Sequence, residues 1–245
     1  MFCHREKLPK RTFCTYPSPP GLNRSPPETV YMNSNELKSI GFSTGLILAN
    51  IAVMWIFAFT PLSQISQLVF THLILGVIFY GILLTAGVHL AKTGIRNSDS
   101  KKAWTGTGVL QFAYGIFGAG VLSMLAPQTQ AITLGITAVL TTAITILSGL
   151  TVYLTDHDFS SWNRYSNYLF MGVFLMALIG TFTPPLAAIA FILALLGFIT
   201  YLIYEIWDMK QRPSSVYLNG IGIYVAFMGV FVQVLQLVIQ MLGER

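Results

Sequence analysis

Charge is what this chain lacks most. Asp, Glu, Lys and Arg together make up 9% of 245 residues, against 54% apolar residues and a mean hydropathy of +0.65. A soluble domain carries about 25% charge, so composition points to a polytopic, all-α membrane protein. Cysteine is equally scarce. Cys3 and Cys14 are the only two, and their spacing fits no usual zinc or redox motif, so no disulfide framework is implied. No nucleophile–His–acid set, HExxH or Walker sequence occurs, which leaves nothing to argue for an enzyme or a cofactor. A basic patch interleaved with aromatics is missing too, and with it the signature of a nucleic-acid partner.

What is present is a series of apolar runs about 20 residues long, enough for a helix to cross a bilayer. Seven are legible, at 42–60, 66–91, 106–125, 131–155, 166–182, 185–208 and 217–242. The connections after the first, third and fifth ("TPLSQ", "APQTQ", "TPP") hold no Lys or Arg. The opposite side collects Lys92, Arg96, Lys101, Lys102, Arg164, Lys210, Arg212 and the six basic residues of the N-terminal segment. By the positive-inside rule the sequence predicts a seven-transmembrane helix bundle with the N-terminus cytosolic and the C-terminus outside. The net charge of +5 is thus a topology signal. Residues 1–40, centred on "YPSPPGLNRSPPE", read as a disordered cytosolic tail with no cleavable signal peptide, and residues 41–245 as the membrane domain. Met32 offers an alternative start. Short loops favour a bacterial plasma membrane.

Within the bilayer, helices meet through small residues and through polar side chains that find partners. Span six carries such a face in Ala187, Ala190, Ala194, Gly197, Tyr201, Glu205 and Asp208. Span seven carries Gly222, Ala226, Gly229, Gln233, Gln236 and Gln240. A hydroxyl stripe on span four, Thr133, Thr137, Thr141, Thr145 and Ser148, reads as threonines bonding back to their own helix. These stripes are expected to meet inside the bundle. Gly115, Gly118 and Gly120 in "YGIFGAG" mark close helix packing.

Glu205 and Asp208, in "YLIYEIWDMKQR" (201–212), are the only carboxylates this reading sets inside the apolar runs. Asp208 has Arg212 four residues on, so a local ion pair accounts for it. Glu205 has no basic residue three or four positions away, which leaves it to snorkel to the interface or to take a hydrogen bond from Tyr201, one turn earlier. An intramembrane carboxylate is a functional candidate by default, and one without a counter-charge is a candidate proton-sensitive switch. The histidines are not. His72 and His89 lie about 25 Å apart along one helix, too far for a shared haem. His157 in "TDHDFSSWNR" reads as part of a solvated loop. Spans six and seven hold no lysine, which excludes a retinal Schiff base in span seven.

"LSGLTVYLTDHDFSSWNRYSNYLFMGVFLMALIGTF" (147–182) resembles the fourth-to-fifth span region of the transmembrane Bax inhibitor motif family. "YEIWDM" (204–209) occupies the place of that family's Tyr-Asp-Thr-Gln/Ser-x-Ile, and "IYVAFMGVFVQVLQLV" (223–238) that of Leu-Tyr-Leu-Asp-Ile-x-Asn-Leu-Phe. The resemblance covers about 130–242 and implies a seven-span bundle with span seven central. It also implies a pH-sensitive calcium leak controlled by two hydrogen-bonded aspartates on the last two spans. Glu205 stands at the first of these positions, Ala226 at the second, and Gly229 replaces the usual Asn, so the acid dyad is broken. Two expectations result. One is a leak channel for Ca²⁺ or protons, with Glu205 as sensor or ligand among Tyr201, Asp208, Ala226 and Gly229. The other is a non-conducting bundle that regulates other membrane proteins.

Overall fold

A backbone that crosses lipid has no water to bond to, so each apolar run must satisfy its own N–H and C=O groups as a helix. The computed structural model describes residues 33–61, 64, 73–180, 184–213 and 215–243, and among these residues it is helical throughout, with no strands. The helices are α1 (Ser34–Ala58), α2 (Leu73–Arg96), α3 (Ser100–Leu122), α4 (Pro127–Leu154), α5 (Trp162–Gly180), α6 (Pro184–Gln211) and α7 (Val216–Gly243). Five of the seven, α1, α2, α4, α6 and α7, are long and apolar enough to cross a membrane; α3 and α5 fall short of that standard. The chain is an all-α membrane bundle, and its large exposed side chains, such as Leu48, Ile82, Val139, Leu147 and Ile192, are the apolar ones a bilayer covers.

Local chemistry sets the helix ends. The Asn33 side chain accepts from the Asn35 N–H at 3.3 Å to start α1, and Asp99 accepts from the Lys102 N–H at 3.1 Å to start α3. Pro127 opens α4, where its missing N–H costs nothing. Between α2 and α3 the chain reverses in three residues. Ser98 takes a left-handed conformation (φ 55°), and the Asp99 N–H donates to the Gly94 carbonyl at 2.8 Å, closing the last turn of α2.

That tight reversal needs small residues. A Cβ on Gly94 would lie 2.3 Å from the Ala103 nitrogen, and one on Gly106 would lie 2.2 Å from the Ala91 nitrogen, so α2 and α3 touch backbone to backbone. Gly115 and Gly118 of "YGIFGAG" instead receive side chains of α1. A Cβ on Gly115 would meet Val53 at 2.6 Å, and one on Gly118 would meet the Met54 sulfur at 2.5 Å.

Helix α7 is the hub. In its most apolar 18-residue stretch 83% is buried, against at most 39% in the other four membrane-length helices. One face joins α1 and α3 through Tyr114, Tyr224, Met228, Phe231 and Leu235; the other joins α4 and α6 through Val152, Leu202, Ile206, Ala226 and Val230. A polar tie pins the first group. Asn50 Nδ2 donates to Gln111 Oε1 (2.8 Å) and to the Tyr224 hydroxyl (3.1 Å), and the Tyr114 hydroxyl donates to the Val225 carbonyl (2.9 Å).

Cross-helix contacts fix how the ends alternate. Glu36 near the start of α1 meets Tyr153 near the end of α4. Lys92 near the end of α2 meets Glu205 near the end of α6, and Lys210 reaches the Val152 carbonyl. These termini therefore share one end of the bundle, the end where the sequence collects its Lys and Arg.

Several boundaries differ from the sequence reading. The tail was expected to run to residue 40, but α1 already begins at Ser34, because Asn33 supplies a cap that hydropathy does not register. This brings Glu36 into the first turn of a spanning helix, 7% exposed, with the Tyr153 hydroxyl donating to it at 2.9 Å. Glu205 and Asp208 are thus not the only carboxylates within the spans. Helix α2 continues past residue 91 to Arg96, so Lys92 is a helical residue and not a loop charge. Cys3, Cys14, His72 and Met32 lie outside the described residues.

Candidate functional site

Glu205 sits on the small-residue face of α6 and is 4% exposed. Its carboxylate points at α7, where a Cβ on Gly222 would come within 1.8 Å of Oε2. Only a residue without a side chain leaves that space. The opposite carboxylate oxygen, Oε1, accepts from the Lys92 ammonium at 2.9 Å. Lys92 also donates to the Tyr201 hydroxyl at 3.4 Å, and its Nζ stands 6.0 Å from the centre of that ring. One α2 cation thus bridges two α6 groups one turn apart, against a bare stretch of α7.

This arrangement corrects the expectation of a lone buried acid. Glu205 has its counter-charge, supplied by a helix that sequence spacing cannot reach. With Lys92 25% exposed and Glu205 nearly enclosed, the pair lies where a carboxylate could not remain ionised cheaply without a partner. Tyr201, one of the two expected resorts of Glu205, interacts with its carboxylate and shares the ammonium with it.

The remaining predicted residues divide cleanly. Asp208 pairs with Arg212 on its own helix, Nε to Oδ1 at 2.9 Å, as the four-residue spacing anticipates, and does not join the Glu205 cluster. Donating to the Asp208 carboxylate holds the Arg212 guanidinium above its usual pKa. Ala226 is fully buried but packs among Leu202, Ile203 and Val230; the residue facing the Glu205 carboxylate is Gly222, one turn earlier. At Gly229 a Cβ would meet the Phe198 ring at 2.0 Å, so the space an Asn side chain would need is filled. Phe198 thus fills the α6–α7 seam at Gly229.

Farther along the same face of α6, beside α7, lies an open space. A cavity of about 980 Å³ runs between α2, α5, α6 and α7, with Lys92 and Tyr201 in its wall. The Glu205 ion pair therefore stands at the end of the cavity where the bundle collects its Lys and Arg. Farther in, Tyr80 and Gln233 line it, and the Tyr80 hydroxyl and Gln233 Oε1 are buried without a hydrogen-bond partner. Leaving such a group unpaired costs about 1–3 kcal/mol, so both atoms ask for water or a passing solute.

The hydroxyl stripe of α4 behaves in two ways. Thr137, Thr145 and Ser148 bond back to the carbonyls of Thr133, Thr141 and Ile144 at 2.7–2.9 Å, as expected. Thr133 and Thr141 are fully buried, and their own hydroxyls have no partner. Asp156, His157 and Asp158 are exposed on the loop after α4. Asp158 accepts from the Ser160 N–H at 2.8 Å, and the His157 ring packs on Phe159. No group of three or more His, Cys, Asp or Glu suited to a metal ion occurs among the described residues. Set against protein-family models, curated proteins and solved structures, the chain finds no match.

Proposed function

We propose that this chain forms a gated pathway through the membrane, of the leak-channel or transporter kind, whose inner end opens when Lys92 and Glu205 separate. The observation that carries this reading is the position of one buried ion pair at the cytosolic end of a cavity with unpaired polar atoms farther in. Ionisable groups within a span are costly, and they are kept where a path or a relay needs them. The pair joins α2 to α6, the two helices that flank the cavity, so its rupture frees exactly that wall.

The chemistry of opening is simple. Removing the charge of Glu205, as Glu205→Gln does, leaves Lys92 facing Tyr201 alone, while α7 offers only Gly222 there. A pH-sensitive opening is proposed, as the resemblance implies. Ca²⁺ and protons are the proposed passengers, in keeping with the motifs shared with the Bax inhibitor family. Calcium takes six to eight oxygens, and an ammonium repels it, so it passes only once Lys92 has swung away. The short connections support a bacterial plasma membrane as its place.

A second reading, a non-conducting regulator of other membrane proteins, has its own observation: Ala226 and Phe198 seal the α6–α7 seam. Purified protein in liposomes with an enclosed calcium dye separates the two. The channel reading expects flux above empty vesicles at pH 6 and at pH 8, with Glu205→Gln raising it. Absence of flux at both pH values, in wild type and in Glu205→Gln alike, would leave the regulator.

A further inference from the structure

The cavity also has a polarity that the pathway reading does not use. Its cytosolic mouth carries Lys92, Arg96 and Asn163, and none of the residues lining it is Asp or Glu. Lys92 is already paired with Glu205, whereas Arg96 is exposed at the last position of α2 and makes no ion pair with any described residue. Behind this mouth the wall turns apolar, with Val88, Phe170, Val173 and Phe198. From Arg96 back to Thr85, α2 covers about 16 Å. One leaflet of a bilayer has a hydrocarbon depth of about 15 Å. The unpaired Tyr80 hydroxyl lies beyond that depth, about 24 Å from Arg96.

We infer that the cytosolic half of this cavity is a binding site for an anionic phospholipid of the inner leaflet. One acyl chain lies between α2 and α5 as far as Thr85, and the phosphate rests on Arg96 beside Asn163. Charge complementarity selects the head, since the mouth offers an unpaired guanidinium and no carboxylate. The apolar wall and its length select the tail. A free phosphate would satisfy Arg96 but leave the wall uncovered, and a zwitterionic lipid would fill the wall but gain less at Arg96. The outer part of the cavity, with Tyr80 and Gln233, stays available to water. This site goes beyond the pathway reading and does not depend on conduction.

Native mass spectrometry of the full-length protein in detergent tests the inference without any flux measurement. Phosphatidylglycerol and phosphatidylcholine of identical chains are the probes. The expected result is a preference of about fivefold for phosphatidylglycerol, the usual contribution of one basic residue near an anionic lipid. Arg96→Gln should remove that preference, and Lys101→Gln, on the exposed first turn of α3, should leave it intact. Thr85→Trp, an exposed position on the cavity wall, should weaken retention of both lipids. Equal retention of the two lipids by wild type, a preference that survives Arg96→Gln, or undiminished binding by Thr85→Trp would each overturn the site. So would displacement of the lipid by inorganic phosphate. Should Thr85→Trp fail to fold, a phosphatidylglycerol carrying a photoreactive acyl chain supplies the second readout on wild type. Crosslinks to the α2 or α5 wall support the site, and crosslinks confined to the outer surface refute it.

Discussion

Gly222→Ala is the smallest change that reaches the ion pair, because the added methyl group contacts the carboxylate and nothing else need be altered. The new Cβ would stand 1.8 Å from Glu205 Oε2, 2.4 Å from Cδ and 2.9 Å from Oε1. Ordinary contact begins near 3.4 Å, so the carboxylate must retreat by 3.4 − 1.8, about 1.6 Å. It cannot do so and keep its 2.9 Å bond unless Lys92 follows. Breaking a fully buried pair costs about 3–5 kcal/mol. Lys92 is a quarter exposed and can re-solvate, which lowers the expected loss to about 1–3 kcal/mol. For a domain of this size that is a fall of about 3–10 °C in the apparent midpoint. Thermal unfolding of detergent-purified protein, followed by circular dichroism, measures it. Shortening the acid provides the control. Glu205→Asp withdraws the carboxylate by one methylene, so the double variant should lose less than the sum of the single losses. Additive losses, or a Gly222→Ala protein as stable as wild type, would refute the claim that Glu205 is pressed between Lys92 and α7.

Two further substitutions probe the frame around the site. Gly106→Leu forces a side chain into the Ala91 backbone 2.2 Å away, which cannot yield as a side chain tip does; a loss of about 3 kcal/mol or more is expected, read as a collapse in yield of folded protein. Tyr153→Phe leaves the buried Glu36 carboxylate without its donor and should cost about 1–3 kcal/mol in thermal or denaturant unfolding, with most of that recovered in Glu36→Leu/Tyr153→Phe, where neither polar group remains.

The fold was readable because lipid imposes so few options. Every apolar run became a helix, and the alternation of Lys and Arg between connections matches the end of the bundle where Lys92, Glu205, Tyr153 and Glu36 converge. Boundaries were less readable, for a chemical reason. Hydropathy sees a span only where it is greasy, whereas helices end where caps and turns allow. Asn33 starts α1 eight residues before the apolar run at 42, and Ser98 with Asp99 ends one helix and begins the next across a connection of three residues. Glu36 and Lys92 both fell into the margins so misjudged. Both proved to be buried or half-buried partners rather than solvated loop charges.

The site itself was half legible. A carboxylate at 205 stands out against an apolar helix, and the small residues at 222, 226 and 229 correctly oriented α7 toward α6. Its partner did not stand out, because nothing in a sequence joins position 92 to position 205, and a lysine three residues past a histidine near a run's end looks like a topology marker. The signal that could have found it is the absence of proline between 91 and 96, which lets α2 carry the ammonium one turn farther along a helix. The same reasoning explains why Ala226 was set opposite Glu205 and Gly222 was not. Motif alignment marks where a family keeps its second acid, but a side chain as long as glutamate reaches one turn toward the helix end, and there only glycine leaves room. An acid one methylene longer, a glycine where it lands and a lysine on the next helix form a set, and each makes sense of the other two. With a buried alanine at 226, Lys92 is the group left to answer Glu205, and the basic end of the cavity is where that answer is given.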